Sequence, residues 1–70
     1  MSEFSLAGHD TIAVNDLLKI TGMCESGGAA KVVIAKGKVK VDGQVELRKT
    51  CKIRNGQVVE YAREKVTVTP

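Results

Sequence analysis

Three side chains in this 70-residue chain are of the types that most often act as bases, nucleophiles or metal ligands. His9 is the only histidine, and Cys24 and Cys51 are the only cysteines. A thiol nucleophile requires a neighbouring base, and a zinc site requires three or four ligands at short spacings. Because the cysteines are far apart and form no Cys-x-x-Cys pair, we expect two free thiols. We predict no catalytic residue, metal site or cofactor, and therefore no enzyme.

The sequence Ser26-Gly27-Gly28 is the best local candidate for a binding site. Serine is a preferred N-cap, and no helix breaker follows before residue 37, which predicts a helix starting here. Free N–H groups at a helix N-terminus bind anions, and glycine lets a phosphate approach the backbone closely. Two glycines in a first turn cost about 1 kcal/mol each relative to alanine. The alternative is a flexible turn, with the helix starting only at Ala29.

Positive charge is concentrated in residues 31–54. The chain has a formal net charge of +3, but this segment has eight basic and two acidic residues, a net charge of +6, which leaves −3 elsewhere. Such a split favours an anionic partner on one side, the alternative being a solvated, lysine-rich surface. Phe4 and Tyr61 are the only aromatic residues. Because base stacking requires several aromatic platforms, nucleic acid would be bound through phosphates and shape.

Two short helices are predicted to carry these residues. Asn15 is a suitable N-cap for the first helix, and Gly22 is a suitable C-terminal residue. The second helix runs from Ser26 to Gly37, which is again a glycine end. Apolar residues three and four positions apart form one buried stripe per helix. The predicted stripes are Val14, Leu17 and Leu18 in the first helix and Ala30, Val33 and Ile34 in the second.

After the second helix the apolar residues alternate, which predicts strands and a hairpin turning at Asp42-Gly43. We expect a three-residue loop ending at Gly43, because it pairs Val39 with Val45 on one buried face. A two-residue loop would instead pair Lys40 with Val45. Further strands are predicted near residues 4–6, 12–14, 51–53, 58–61 and 66–69. The expected fold is α+β, with two short helices packed on a small, mostly antiparallel sheet in a single domain of residues 1–70.

Characteristic stretches of the chain are Thr21–Ser26, Ala30-Lys31, Ile34, Gly37–Gly43 and Asn55–Val59. Together they resemble the S-four-like RNA-binding domain, a family named after a small-subunit ribosomal protein and also found in pseudouridine synthases. The similarity covers about residues 13–61. The resemblance implies an RNA-binding surface made by the two helices and the following hairpin. A typical member has Arg-Leu-Asp where this chain has Ala13-Val14-Asn15, and arginine where it has Gly27.

The basic segment and this resemblance predict a protein that binds structured RNA, either ribosomal RNA or tRNA, through phosphate and shape contacts. We expect a cytoplasmic monomer, alone or in a ribonucleoprotein, without a membrane or small-molecule partner. No signal-peptide pattern or membrane-spanning apolar run is found. The alternative is a protein-interaction or adaptor module that kept the fold and lost RNA binding. The residues expected to contact RNA are Ser26, Gly27, Gly28, Lys31, Lys36, Lys38, Lys40, Arg48 and Lys49.

Overall fold

Two helices cover one face of a five-stranded sheet in this computed structural model, which describes residues 2–70. The elements are β1 (Ser2–Ser5), β2 (Thr11–Ala13), α1 (Val14–Ile20), α2 (Gly27–Ala35), β3 (Val39–Val41), β4 (Gln44–Val45), β5 (Lys52–Arg54), β6 (Val58–Tyr61) and β7 (Glu64–Thr69). The large sheet has the order β1-β7-β6-β3-β4, and β2 pairs with β5 in a separate two-stranded ribbon. Only the β1–β7 pair is parallel among the pairs described. The expected α+β fold is therefore confirmed.

The core lies between the helices and the inner face of the sheet. Each helix contributes its predicted apolar stripe, except that Val33 is only half-buried. Alternate residues of β3, β6 and β7 point inward, and Ile53 of β5 completes the layer. No helix among residues 2–70 has the length and apolar character needed to cross a bilayer. The buried apolar residues are Leu6, Val14, Leu17, Leu18, Cys24, Ala30, Ile34, Val39, Ile53, Val59, Val66 and Val68.

Helix α2 begins and ends where the sequence predicts. Ser26 is its N-cap, and the Ser26 hydroxyl accepts a hydrogen bond from the Ala29 N–H at 3.1 Å. At the other end Gly37 adopts a φ of +75°, which is accessible to glycine at little cost. The Gly37 N–H donates to the Ile34 carbonyl, and the Lys38 N–H donates to the Val33 carbonyl. These two bonds satisfy carbonyls that the helix leaves without partners, as in a Schellman motif.

The prediction that Asn15 caps α1 is wrong. The N-cap is Ala13, which makes no side-chain capping bond, and Asn15 lies in the first turn with only 8% of its surface exposed. The Val14 N–H donates to the Cys51 carbonyl at 2.8 Å, so the β2–β5 pairing continues to the first residue of the helix. Since Val14 is also fully buried, packing sets the start of α1 and places the polar side chain of Asn15 inside.

The predicted three-residue hairpin loop is also wrong. Lys40 pairs with Val45 and Val41 pairs with Gln44, so the loop has two residues, Asp42 and Gly43. Both have positive φ values, 51° and 83°. This is the type I′ geometry, whose twist matches that of the flanking strands. Val45 therefore lies on the outer face of the sheet and is 52% exposed.

The side chain of Asp42 holds this turn against the neighbouring strand β6. Its Oδ1 accepts a hydrogen bond from the Val58 N–H at 3.0 Å, and its Oδ2 accepts one from Gln57 Nε2 at 3.2 Å. The Asp42 N–H also donates to the Val58 carbonyl at 2.8 Å. Because β4 is an edge strand of two residues, the main free-energy cost of this register is the exposure of one valine side chain. The hydrogen bonds of Asp42 therefore stabilise the hairpin more than the burial of Val45 would.

The observed register predicts a large loss of stability from one substitution at Val39 and almost none from the same substitution at Val45. Val39→Thr places a hydroxyl in the core and should lower the free energy of unfolding by about 1–3 kcal/mol. Val45→Thr at the exposed edge position should change it by less than about 0.5 kcal/mol. Urea unfolding followed by circular dichroism measures both. A large loss from Val45→Thr would show that Val45 belongs to the core and would contradict the two-residue register.

Candidate nucleic-acid interface

The first turn of α2 presents backbone donors at the surface. The first four N–H groups of an α-helix have no acceptor within the helix. Ser26 provides an acceptor for one of them, because its side chain accepts from the Ala29 N–H, while the Ala30 N–H makes the first regular helical bond, to the Ser26 carbonyl at 3.0 Å. Gly27 and Gly28 supply the N–H groups ahead of these, with Gly27 half-buried and Gly28 exposed. The helix N-terminus also carries partial positive charge, so this turn is suited to an anion.

The fold does not require glycine at either position. A Cβ added to Gly27 would meet only Asn15 Nδ2, at 4.0 Å, and one added to Gly28 would meet only the Ser26 Oγ, at 3.8 Å. Both are ordinary van der Waals distances, and neither residue has the positive φ that favours glycine. The two glycines therefore reduce helix stability, by about 1 kcal/mol each, without a packing reason. Because neither glycine has a side chain, a ligand can closely approach the backbone N–H groups of this turn.

Asn15 adds a polar group beside this turn, and sequence reasoning missed it because it treated the residue as a helix cap. Within residues 2–70, its Oδ1 is buried and has no hydrogen-bond partner. An unsatisfied buried polar atom costs on the order of 1–3 kcal/mol. The Nδ2 atom of the same amide faces Gly27, as the 4.0 Å approach shows. The amide of α1 and the first turn of α2 therefore face one another.

Lys31 is the basic residue best placed to assist this turn. It lies one helical turn after Gly27 and is exposed. Residues four apart share a helix face, and long helical side chains lean towards the N-terminus. The Lys31 ammonium group can therefore reach the surface around Gly27. Lys36 and Lys38 are also exposed, but they lie at the opposite end of α2, about 13 Å away along the helix axis.

Lys40 lies on the face of the sheet that points away from the helices. Its neighbours in the sequence, Val39 and Val41, point inward, so Lys40 points outward. Directly opposite Lys40 lie Glu60 on β6 and Val45 on β4. The structure therefore places Lys40 in a different layer from Lys31. A single continuous basic face that includes both residues stays a prediction.

Arg48 and Lys49 lie in the exposed loop between β4 and β5. Arg48 is partly neutralised, because its Nε lies 2.9 Å from Glu46 Oε2 and its Nη2 lies 3.2 Å from Oε1. Its Nη2 also approaches the Cys51 Sγ at 3.6 Å. These contacts use three of the five guanidinium N–H groups and leave two for another acceptor. Arg48 is thus held in place, while its net charge is balanced by Glu46.

Two further cations face a groove that the predicted site residues do not include. Lys52 and Arg54 flank the buried Ile53 on β5, so both point to the solvent side of the strand. They line a groove of about 610 Å³ beneath the β3–β4 hairpin, together with Arg48. The alternation of basic and apolar residues in this strand is the sequence signal that could have identified them. Asp42 also lines the groove, but both of its carboxylate oxygens already accept hydrogen bonds.

Neither cysteine is set up as a nucleophile. Both are free, with Cys24 buried and Cys51 partly exposed. Burial raises the pKa of the Cys24 thiol. Burial is also the main cause that raises the pKa of Cys51, which the neighbouring Glu46 raises further. Since the thiolate is the reactive form, both groups are kept in their less reactive state near neutral pH.

The whole chain, and not only the helix–helix–hairpin segment, matches a known protein family. The S4 domain family matches residues 4–69, nearly the entire chain, and the protein belongs to that family. The resemblance seen in the helix–helix–hairpin sequence is therefore confirmed. At the positions where typical members carry arginine, this chain has Ala13 and Gly27.

Individual relatives extend the similarity over full length. YbcJ of Escherichia coli (strain K12), whose name provisionally describes it as an RNA-binding protein, is 53% identical over 68 residues, 97% of each chain. The Shigella flexneri protein called "Uncharacterized protein YbcJ" is equally similar. The solution structure of Escherichia coli YbcJ matches all of this chain and 89% of its own, with a TM-score of 0.77 and 51% identity. That structure is described as revealing an ALFAL motif involved in RNA binding.

The contacts of Glu46 with Arg48 predict an abnormal titration. Hydrogen bonds from the Arg48 side chain and then from its N–H lower the pKa of the Glu46 carboxyl from 4.5 to about 2. Because the folded-state pKa is lowered, this stabilisation is present above the ordinary pKa and is lost as the pH falls towards 2. Carbon-detected NMR should follow this titration, and Arg48→Gln should bring its midpoint back towards 4.5. A midpoint near 4.5 in the unaltered protein would show that the pair does not form.

Proposed function

We propose that this protein binds structured RNA, with ribosomal RNA or tRNA as the target class, and acts as a non-enzymatic monomer in the cytoplasm. The observation that carries the proposal is the first turn of α2, where Gly27 and Gly28 expose backbone donors without a packing reason. Lys31 lies one turn further along the same helix face. Membership of the S4 domain family and the RNA-binding motif described for YbcJ support the same function.

Phosphate contacts would supply most of the binding energy. Phe4 and Tyr61, the only aromatic residues, are partly buried against the core, and two rings cannot supply the several platforms that base stacking needs. Contacts to phosphates position a protein on RNA but carry little sequence information. Recognition would then depend on the shape of the RNA, whose phosphates must reach the α2 turn and the lysines together. Of the predicted residues, Lys36, Lys38 and Lys49 are exposed and would extend this contact beyond the α2 turn.

A protein-interaction module is the rival function, and two observations favour it. Val45, on the short edge strand β4, and Leu47, just after it, are large apolar residues that are 52% and 60% exposed. Arg48, one of the predicted RNA contacts, is already engaged by Glu46. Recovery of RNA from lysate with the tagged protein, with and without nuclease, separates the two functions. Nuclease-sensitive co-purification supports RNA binding, whereas partners that survive nuclease favour the module.

Charge reversal on α2 and just after it tests the proposed interface. Lys31→Glu combined with Lys38→Glu should lower affinity for tRNA or ribosomal RNA at least about tenfold, because each change removes one phosphate contact and adds repulsion. Both residues are exposed, so the melting temperature should change little. With roughly four to six phosphates contacted, the log–log dependence of affinity on salt should have a slope magnitude of about 3 to 5. Filter binding at several salt concentrations measures both quantities.

The control is Arg63→Glu combined with Lys65→Glu, which changes the net charge equally at the exposed β6–β7 hairpin. The control should retain most of the affinity. Equal losses in the two double variants would mean that only net charge matters, and the α2 interface would be wrong. A flat salt dependence would refute the phosphate mechanism, and the interaction module would then be the better account.

A further inference from the structure

One buried polar group is not explained by the fold. Asn15 is 8% exposed, and its Oδ1 has no hydrogen-bond partner in the part of the chain that the structure describes. Buried polar groups are normally paired, and here the amide is turned so that its donor Nδ2, and not the unpartnered Oδ1, faces the first turn of α2. The residue lies in the first turn of α1, where Val14 and Leu17 are fully buried and fix the position of the backbone. Its amide is consequently held in one place by packing on both sides.

The place where it is held is the start of α2. Asn15 Nδ2 lies 4.0 Å from the position that a Cβ of residue 27 would occupy. The amide therefore lies next to the first turn of α2, where Gly27 has no side chain. An amide has two donor hydrogens on its nitrogen and carries no charge. The nitrogen adds a third donor group next to the N–H groups of Gly27 and Gly28. Donor groups from two different helices thus lie beside the first turn of α2.

We propose that the Asn15 amide and the Gly27 and Gly28 N–H groups form one site for a phosphodiester group, with Asn15 as a binding residue. This inference rests on the proposed RNA-binding function and assigns the atoms that would hold one of its phosphates. Oxygen atoms of the phosphate would accept from the two N–H groups and from Nδ2. Lys31, on the same helix face, would balance the charge.

The neutrality of the Asn15 side chain is central to this site. A carboxylate in the same place would also be stabilised by the helix N-terminus and could accept hydrogen bonds from its N–H groups. It would, however, occupy the donors itself and repel a phosphate. The change Asn15→Asp should therefore weaken binding by repulsion even in protein that is still folded, which a purely structural role of the amide would not do.

The first test compares Asn15→Asp with Asn55→Asp, the same chemical change at an exposed turn residue. Asn15→Asp should lower the affinity for tRNA at least about fivefold, measured well below its melting temperature, which the buried carboxylate oxygen should lower. Asn55→Asp should leave both nearly unchanged. Unaltered affinity in the Asn15→Asp protein, with the fold intact, overturns the inference even if Lys31→Glu still weakens RNA binding.

A second measurement does not depend on RNA and covers the case in which Asn15→Asp fails to fold. Inorganic phosphate is titrated into the 15N-labelled unaltered protein and into Gly27→Val, since a valine side chain should block access to the turn. The amide signals of Gly27 and Gly28 should shift saturably in the unaltered protein, and the Gly28 signal should shift much less in Gly27→Val. Saturable shifts without any RNA binding would support the anion site and reject the proposed function. No shifts, or equal Gly28 shifts in both proteins, would overturn the site.

Discussion

The packing of α1 against α2 is the constraint on which the candidate interface depends. Asn15 comes from one helix and the glycine pair from the other, so their approach exists only while the helices stay in register. Fully buried apolar side chains fix that register, with Leu17 and Leu18 on α1 and Ile34 on α2. The sheet supports both helices from below through inward-facing valines of β3, β6 and β7. A rigid core therefore positions groups that make few contacts of their own.

The same region carries features that reduce stability. Two helical glycines and an unpartnered buried amide oxygen each cost on the order of 1 kcal/mol or more. A chain of 70 residues buries a small core and has only a few kcal/mol of stability in reserve. The two glycines lie at the start of α2, where a helix terminus already favours anions, so a binding role is a simpler explanation for the pair than two unrelated defects.

Local chemistry made both ends of α2 predictable, whereas long-range contacts set the start of α1 and the hairpin register. A serine cap and glycine ends act within a few residues, so the limits of α2 could be predicted from the sequence. The hairpin loop could not, because Asp42 is held by Val58 and Gln57, which belong to or precede a distant strand. Likewise, Asn15 is a good cap by residue type, but packing of Val14 moved the helix start. The basic residues were predicted correctly as exposed, yet their division between layers depended on the sheet topology.

Lysine footprinting in the presence of RNA tests the central claim, that the start of α2 is the contact surface, most directly. The protein is acylated briefly with and without tRNA or ribosomal RNA, and the modification of each lysine is measured by mass spectrometry. The account predicts that Lys31 is the most strongly protected lysine, while Lys65 on β7 reacts equally in both samples. Protection of Lys40 and Lys65 with Lys31 unprotected would place the RNA on the outer face of the sheet and contradict the account.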